Sequence, residues 1–463
     1  MYDTLIIGAG MSGLAAGIRL AHYDQRVCIL ERHNTIGGLN SFYRMNGRDY
    51  DVGLHAVTNY APKGVRGPLQ TLLRQLRFKW EEFALAPQIG SRIAFPDIEL
   101  RFTNDLDVLR GEIADKFPNQ IDGFDRLCGR IIGYDDLDQE NYDQSTRTIL
   151  GECLTEPLLI EMLLCPTMWY GNAREHDMDF GQFSIMFRSI FMEGFCRPYR
   201  GVRLILKNLV KRFRSLGGEL KLRRGVRRIV VEDKRVQGVE LDNGEFIAAK
   251  RVLSSIGRLE TLRICDGTQA VDPARAGRMA FVESVSILDK QPKSLGVNDT
   301  IVFYNDSPSF DWCRSKEVCD TRTGVVCSPN NYQYSDEDGE LAEGVVRITS
   351  IASFDSWNEM SEEEYRINKL RWYDRTVASA VRFVPDFRRH VIDTDMFTPT
   401  TVRRFTWHDN GAIYGAPDKQ LDGTTHLPNL FLCGTDQGFV GIVGAIVSGI
   451  SMANRHCLDR DSE

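Results

Sequence analysis

Residues 3–38 read DTLIIGAGMSGLAAGIRLAHYDQRVCILERHNTIGG. Thr4 to Ile7 form a short, mostly apolar run of the kind buried in a parallel sheet. Gly8-Ala9-Gly10-Met11-Ser12-Gly13 comes next as G-x-G-x-x-G, and a helical apolar pattern begins inside it. In that spacing the first glycine makes a tight turn, the second lets backbone approach a pyrophosphate, and the third lets helix and strand pack closely. The helix start adds unpaired N–H groups and a positive dipole end, both suited to phosphate. Val27 to Leu30 is a second apolar run, ending on Glu31, eighteen residues past Gly13. A carboxylate there accepts hydrogen bonds from a ribose diol and disfavours a 2′-phosphate. Glycines alone mark ordinary turns. Here strand, glycines, helix, second strand and acid fall in register, which specifies a dinucleotide site and leaves NAD and FAD both open.

The chain has 463 residues, so two domains are expected. An apolar fraction of 42% is ample for a core, and a net charge of −7 argues against nucleic acid as a partner. The eleven cysteines are odd in number and contain no C-x-x-C pair. This predicts reduced thiols in a cytoplasmic setting, with no zinc site and no disulfide framework. The nucleotide strand begins at residue 3, leaving no room for a signal peptide. No run of 18 apolar residues occurs, so a soluble or peripheral protein is expected.

The residues after Glu31 separate the two nucleotides. Glu31-Arg32 with Gly37-Gly38 resembles the extended FAD motif of the flavin amine-oxidase and phytoene-desaturase flavoproteins. Asp51-Val52-Gly53-Leu54-His55 resembles the segment near the flavin in carotenoid desaturases, carotenoid isomerases and retinol saturase. Near the end, Gly434-Thr435-Asp436 and Gly441-Ile442-Val443-Gly444-Ala445 resemble the second FAD anchor of the same families. The chain is therefore similar to phytoene-desaturase and carotenoid-isomerase flavoproteins. The resemblance implies an α/β fold with a Rossmann-like FAD-binding domain of the glutathione-reductase type, a discontinuous α+β substrate domain and a helical cap. It implies FAD contacts at Gly8, Gly10, Met11, Ser12, Gly13, Glu31, Arg32, Gly37, Gly38, Leu39, Asn40, Gly53, Leu54 and His55. It implies further contacts at Val226 (the first valine of a V-x-x-I pattern completed by Ile229), Ser254, Gly434, Asp436, Gly441, Ile442, Val443 and Ala445. Asp436 would meet the ribityl or phosphate portion, and the N–H groups of Ile442 and Val443 the flavin N1/C2=O edge. A helix start suits negative charge there. Two departures stand out. Asp24 replaces a customary glycine, a residue that tolerates left-handed backbone. Leu39-Asn40 replaces a customary arginine, leaving Arg32 as the nearest substitute.

Residues 67–197 read as a mainly helical cap, with patterns at Pro68 to Leu76, Leu106 to Phe117, Leu154 to Leu164 and Phe180 to Phe195. Five of the twelve methionines lie between Met162 and Met192, among Trp169 and several phenylalanines. They suit either a packed core or the adaptable lining of an apolar substrate site. Met168, Trp169, Phe183 and Phe187 are the lining candidates. Residues 1–66, 198–275 and 401–463 read as three segments of the FAD-binding domain, and 276–400 as the strand and helix return of the substrate domain. Arg200 to Arg235 carries thirteen Lys or Arg against three acids, either a solvated face or a surface for anionic lipid. Trp407 and Tyr414 are placed to flank flavin or substrate, or simply to pack.

Ser-His-Asp and HExxH signatures are missing from the sequence. That fits hydride removal from an unactivated allylic C–H, where positioning and flavin electronics carry the rate. Proton transfer then falls to His55 or His408, although His55 also fits a merely structural loop histidine. The expected substrate is a long hydrophobic isoprenoid, desaturated or isomerised between cis and trans. Dehydroxylation of a triterpene precursor and polyene saturation are variants of the same chemistry. Amine oxidation and a non-catalytic lipid carrier of the GDP-dissociation-inhibitor type are the rivals. The sequence leaves the oligomeric state open.

Overall fold

Tyr2–Ile7 sits at the centre of a parallel sheet, flanked by parallel strands on both sides and buried on both faces from Thr4 onward. The computed structural model describes residues 1–61, 65, 67–135, 143–267 and 271–458. The domain boundary expected at residue 66 falls outside them. Strands run side by side in the order Glu219–Lys221, Val27–Leu30, Tyr2–Ile7, Phe246–Ser254 and Leu430–Leu432, all parallel where they pair. Val226–Glu232 and Arg235–Leu241 extend this sheet as an antiparallel meander from the first half of Phe246–Ser254. Asp24 turns the chain between helix Met11–Ala21 and the second strand at φ 57°, the left-handed geometry that its side chain tolerates.

A second sheet holds Val391–Phe397, Ala280–Leu288, Gly344–Ala352, Cys319–Cys327, Ile301–Asn305, Ser91–Phe95 and Ile98–Phe102, in that order. The last two lie within a stretch read as helical from the sequence. Pro96-Asp97 makes their turn, with Asp97 at φ 63°. Five helices cover the far end: Leu106–Lys116, Ile121–Ile132, Thr146–Cys153, Pro157–Gly171 and Phe180–Phe187. Pro157–Gly171 starts later and runs further than the periodicity suggests. Glu156 caps it by accepting from the Leu158 N–H, and Pro157 occupies the first turn, where its missing N–H costs nothing. Phe180–Phe187 continues into a π-turn at Arg188–Met192.

The termini meet through helix Gly441–Met452, which packs on Met11–Ala21. A Cβ on Gly449 would stand 2.1 Å from the Ser12 carbonyl oxygen, so the two backbones touch. Gly449→Ala is expected to push the helices apart and to cost about 3 kcal/mol, the upper range for overpacking, because backbone cannot swing aside. A lowered urea midpoint with an unchanged slope checks this.

All eleven cysteines are unpaired thiols, and among the described residues no helix is long and apolar enough to cross a membrane. In the basic stretch, Arg203 pairs with Asp49 while Arg227 and Arg228 pair with Glu240. Lys207, Lys211 and Arg214 remain exposed on helix Val202–Ser215.

Candidate active site

Between the two sheets lies a cleft of about 2000 Å³, counted out into the solvent at its open mouth. One end is built from glycine-rich backbone of both termini. Gly37 donates its N–H to the Ala9 carbonyl at 2.9 Å and bridges to Gly10, so the second glycine pair clamps the first turn. Gly8, Gly10, Met11, Ser12, Gly37, Gly38, Leu39 and Asn40 line this end. Opposite them stand Gly434, Thr435, Gly441, Ile442 and Ala445. Among the described residues, and apart from the adjoining backbone, nothing lies within 4 Å of a Cβ built on Gly441, and the nearest atom to one on Gly10 is the Gly37 oxygen at 4.0 Å. The cradle therefore has room for a pyrophosphate against bare backbone, beside the N-termini of two helices.

Glu31 is buried at the next position along the cleft. Its two oxygens accept from the Ala9 and His33 N–H groups, each at 2.9 Å. A carboxylate offers about four lone-pair sites, so both oxygens can still accept from a ribose diol. Arg32 stacks its guanidinium 4.3 Å above Trp407 and lies 3.8 Å from Asp242. This holds Trp407 against Arg32, the residue after Glu31, and the indole lines the cleft. The helix Pro399–Thr406 carries it there by ending in a left-handed cap at Trp407, φ 67°. His408 also lines the cleft, above the buried Glu260. Burial raises the Glu260 carboxyl, while His408 and the Asp409 N–H at 2.8 Å pull it back.

Several residues implicated by the sequence sit behind the wall. Gly13 spaces helix from strand: a Cβ there would be 2.2 Å from the Gly8 oxygen. Ser254 is spent on Thr261 at 2.6 Å, and Ser255 faces the cleft in its place. The Val443 side chain packs into the core, while the expectation for this residue concerned its backbone N–H in the first turn of helix Gly441–Met452. Asp436 is buried and accepts from the Arg258 N–H at 2.6 Å and the Ala416 N–H at 2.8 Å. It ties two loops together, and its neighbours Gly434 and Thr435 form the wall. Leu54 is also buried, and its carbonyl accepts from Arg197 and Arg347, each at 2.8 Å. Met168, Phe183 and Phe187 are fully buried in the core under the cap. One face of each helix must fill that core, and only the opposite face reaches the chamber.

The far end is that chamber. Trp169, Tyr170, Met186, Phe281, Val325, Tyr414 and Val440 wall it, with Tyr414 edge-on to Phe281. Trp169 is held by Phe281 and Trp312, both with ring centroids 5.1 Å away, and by its N–H to Thr323 at 3.2 Å. Gly53 and His55 enter from the dinucleotide side. A polar group stands where His55 meets the second sheet: its Nε2 lies 3.1 Å from Glu283 and 3.2 Å from Thr349. Arg347, also buried, pairs with the same carboxylate. Burial pushes Glu283 up, but Arg347 and His55 more than offset this and hold it at about 2. Glu283 and Arg347 are not among the residues that the sequence motifs single out. Their signal is one charge of each sign, centred in AFVESVSIL and GVVRITSIA, two otherwise uncharged strands that pair with each other.

A glycine-rich cradle thus joins an apolar chamber in one cleft between the two sheets. Residues 6–76 match the family model of the NAD(P)-binding Rossmann-like domain. The chain is similar over 99% of its length to prolycopene isomerases. It is 22% identical to prolycopene isomerase 1 of an Oncidium hybrid cultivar, covering 99% of this chain and 84% of that one. It is also 20% identical to the 4,4'-diaponeurosporene oxygenase of Staphylococcus aureus, over 89% and 87% of the two chains. Among solved structures it is similar to an oxidoreductase from Methanosarcina mazei, with TM-score 0.68, 14% identity and coverage of 97% and 99%. Putrescine oxidase shares the fold at TM-score 0.64, with 16% identity and 98% coverage of each.

Proposed function

We propose that the protein holds FAD in this cleft and acts as a flavin-dependent oxidoreductase on a long apolar isoprenoid, by carotenoid-type isomerisation or desaturation. The observation that carries this reading is continuity: the glycine cradle and the aromatic chamber are one space. The donor set fits the cofactor. Bare glycine backbone at both helix starts suits a pyrophosphate, Glu31 a ribose, and the Gly441–Ile442 helix start a ring edge that becomes negative on reduction. Bound there, an isoalloxazine supplies hydride and electron transfer. The chain's own side chains do the rest. Trp169, Met186, Phe281, Val325 and Val440 exclude water and align a hydrocarbon chain, and His55 is the proton-transfer group within reach of it. The compounds in the relatives' names, prolycopene and diaponeurosporene, are polyenes of this shape.

The test is expression in cells that accumulate phytoene, poly-cis-carotenes or squalene-derived alcohols, with analysis of their pigments and lipids. A change in the poly-cis or phytoene pool is expected. Unchanged pools, with hydrogen peroxide released from putrescine by the purified protein, would move the assignment to amine oxidation.

A further inference from the structure

The floor of the chamber is one row of residues crossing the second sheet. Phe397, Glu283, Thr349 and Val325 are successive cross-strand partners, and Phe303, Ile93 and Leu100 continue the row under the cap. Glu283 and Thr349 are its only polar members. An ionised carboxylate that is only 6% exposed, beside the aromatic end of the cleft, is costly unless each oxygen is fully engaged. Arg347, two residues along from Thr349, engages one oxygen, and Thr349 donates to the other at 3.2 Å. The carboxylate then reaches across the domain boundary to His55 Nε2. The histidine backbone is fixed as well. Tyr332 donates its hydroxyl to the His55 carbonyl at 2.9 Å, and the preceding carbonyl of Leu54 takes both Arg197 and Arg347. Arg197 is in turn paired with Asp51 at 2.5 Å. Among the described residues every side-chain hydrogen bond of the His55 ring is made by Nε2, none by Nδ1, and the ring lines the cleft.

We infer that Glu283, braced by Arg347 and Thr349, is a positioning residue that keeps the proton of His55 on Nε2 and presents Nδ1 to the substrate chamber as the acceptor. A carboxylate behind an imidazole fixes both its tautomer and its orientation, and loss of that fixing can cost a base most of its catalytic effect. The inference rests on the proposed function only for the identity of the substrate. The tautomer can be read without one.

The experiment uses the full chain with 15N-labelled histidine and long-range nitrogen–proton NMR. Three variants are compared with the parent: His55→Gln assigns the signal, Glu283→Gln removes the charge, and Glu283→Leu/Arg347→Met removes the buried pair together. The double change leaves no orphaned charge, and Leu54 keeps Arg197 as donor, so it preserves the fold where a single truncation would not. One Nε2–H tautomer is expected in the parent, and a mixture in Glu283→Gln and the double variant. With a turned-over polyene, the double variant is expected to lose about 100-fold in kcat with KM within about twofold, close to His55→Gln. A parent signal with the proton on Nδ1, or an unchanged tautomer in the double variant, would overturn the inference. Failure of the polyene to turn over in the parent would sink the functional reading alone.

Discussion

Gly10→Ala is expected to yield a folded protein that has lost its flavin, with affinity for added FAD down by at least about 100-fold, roughly 3 kcal/mol. Gly10 sits at φ −75°, ψ 179°, where any residue is comfortable, and its added methyl would meet no protein atom closer than 4.0 Å. The methyl would instead occupy space that a pyrophosphate needs. Thermal stability of the cofactor-free protein should hold or rise slightly, since alanine narrows the unfolded ensemble. Gly13→Ala in the same motif should fail in the opposite way. Its Cβ would stand 2.2 Å from the Gly8 oxygen, so helix and strand cannot keep their contact and the fold itself is lost. Flavin absorbance after purification, FAD titration and a thermal melt of both variants separate the two outcomes. A yellow Gly10→Ala protein would refute the cradle.

Glu283→Ala should destabilise the protein by about 3–5 kcal/mol, because it strands Arg347 without a counter-charge among apolar neighbours. The same pair shapes the acid limb of stability. In the unfolded chain this carboxyl titrates near its ordinary value of 4.5, and in the fold it is held at about 2. The folded state thus binds fewer protons between those values. The stabilisation is complete above about pH 4.5 and is lost as pH falls toward 2, a contribution on the order of 3 kcal/mol. Urea unfolding at ~pH 6 and ~pH 3 should therefore show a steeper loss in the parent than in Glu283→Leu/Arg347→Met. Equal losses would mean that the ion pair does not govern this window.

The nucleotide half of the site is legible in the sequence because its parts are local. A strand, a glycine turn, a helix start and an acid fall within thirty residues, and backbone geometry forces that order. The C-terminal glycines are equally legible for the same reason. Asp436 and Trp407 are less so. Motif position names a residue, but which way its side chain turns depends on what packs behind it: the Arg258 and Ala416 N–H groups for one, Arg32 for the other. The lining of the chamber shows the same limit. Trp169 and Met168 are neighbours in an apolar helix, and only the packing of the cap decides that Trp169 meets the cavity and Met168 the core.

By itself, then, the sequence determined a dinucleotide-binding α/β domain closed by two glycine-rich loops from opposite ends of the chain. Those features are written in short-range spacing. Only the tertiary structure decided what faces the substrate space. Glu283 stands 228 positions from His55 and 64 from Arg347 along the chain. The register between two strands and the packing of the His55 loop against the second sheet bring them within bonding distance, and that register is a property of the whole sheet rather than of any segment in it.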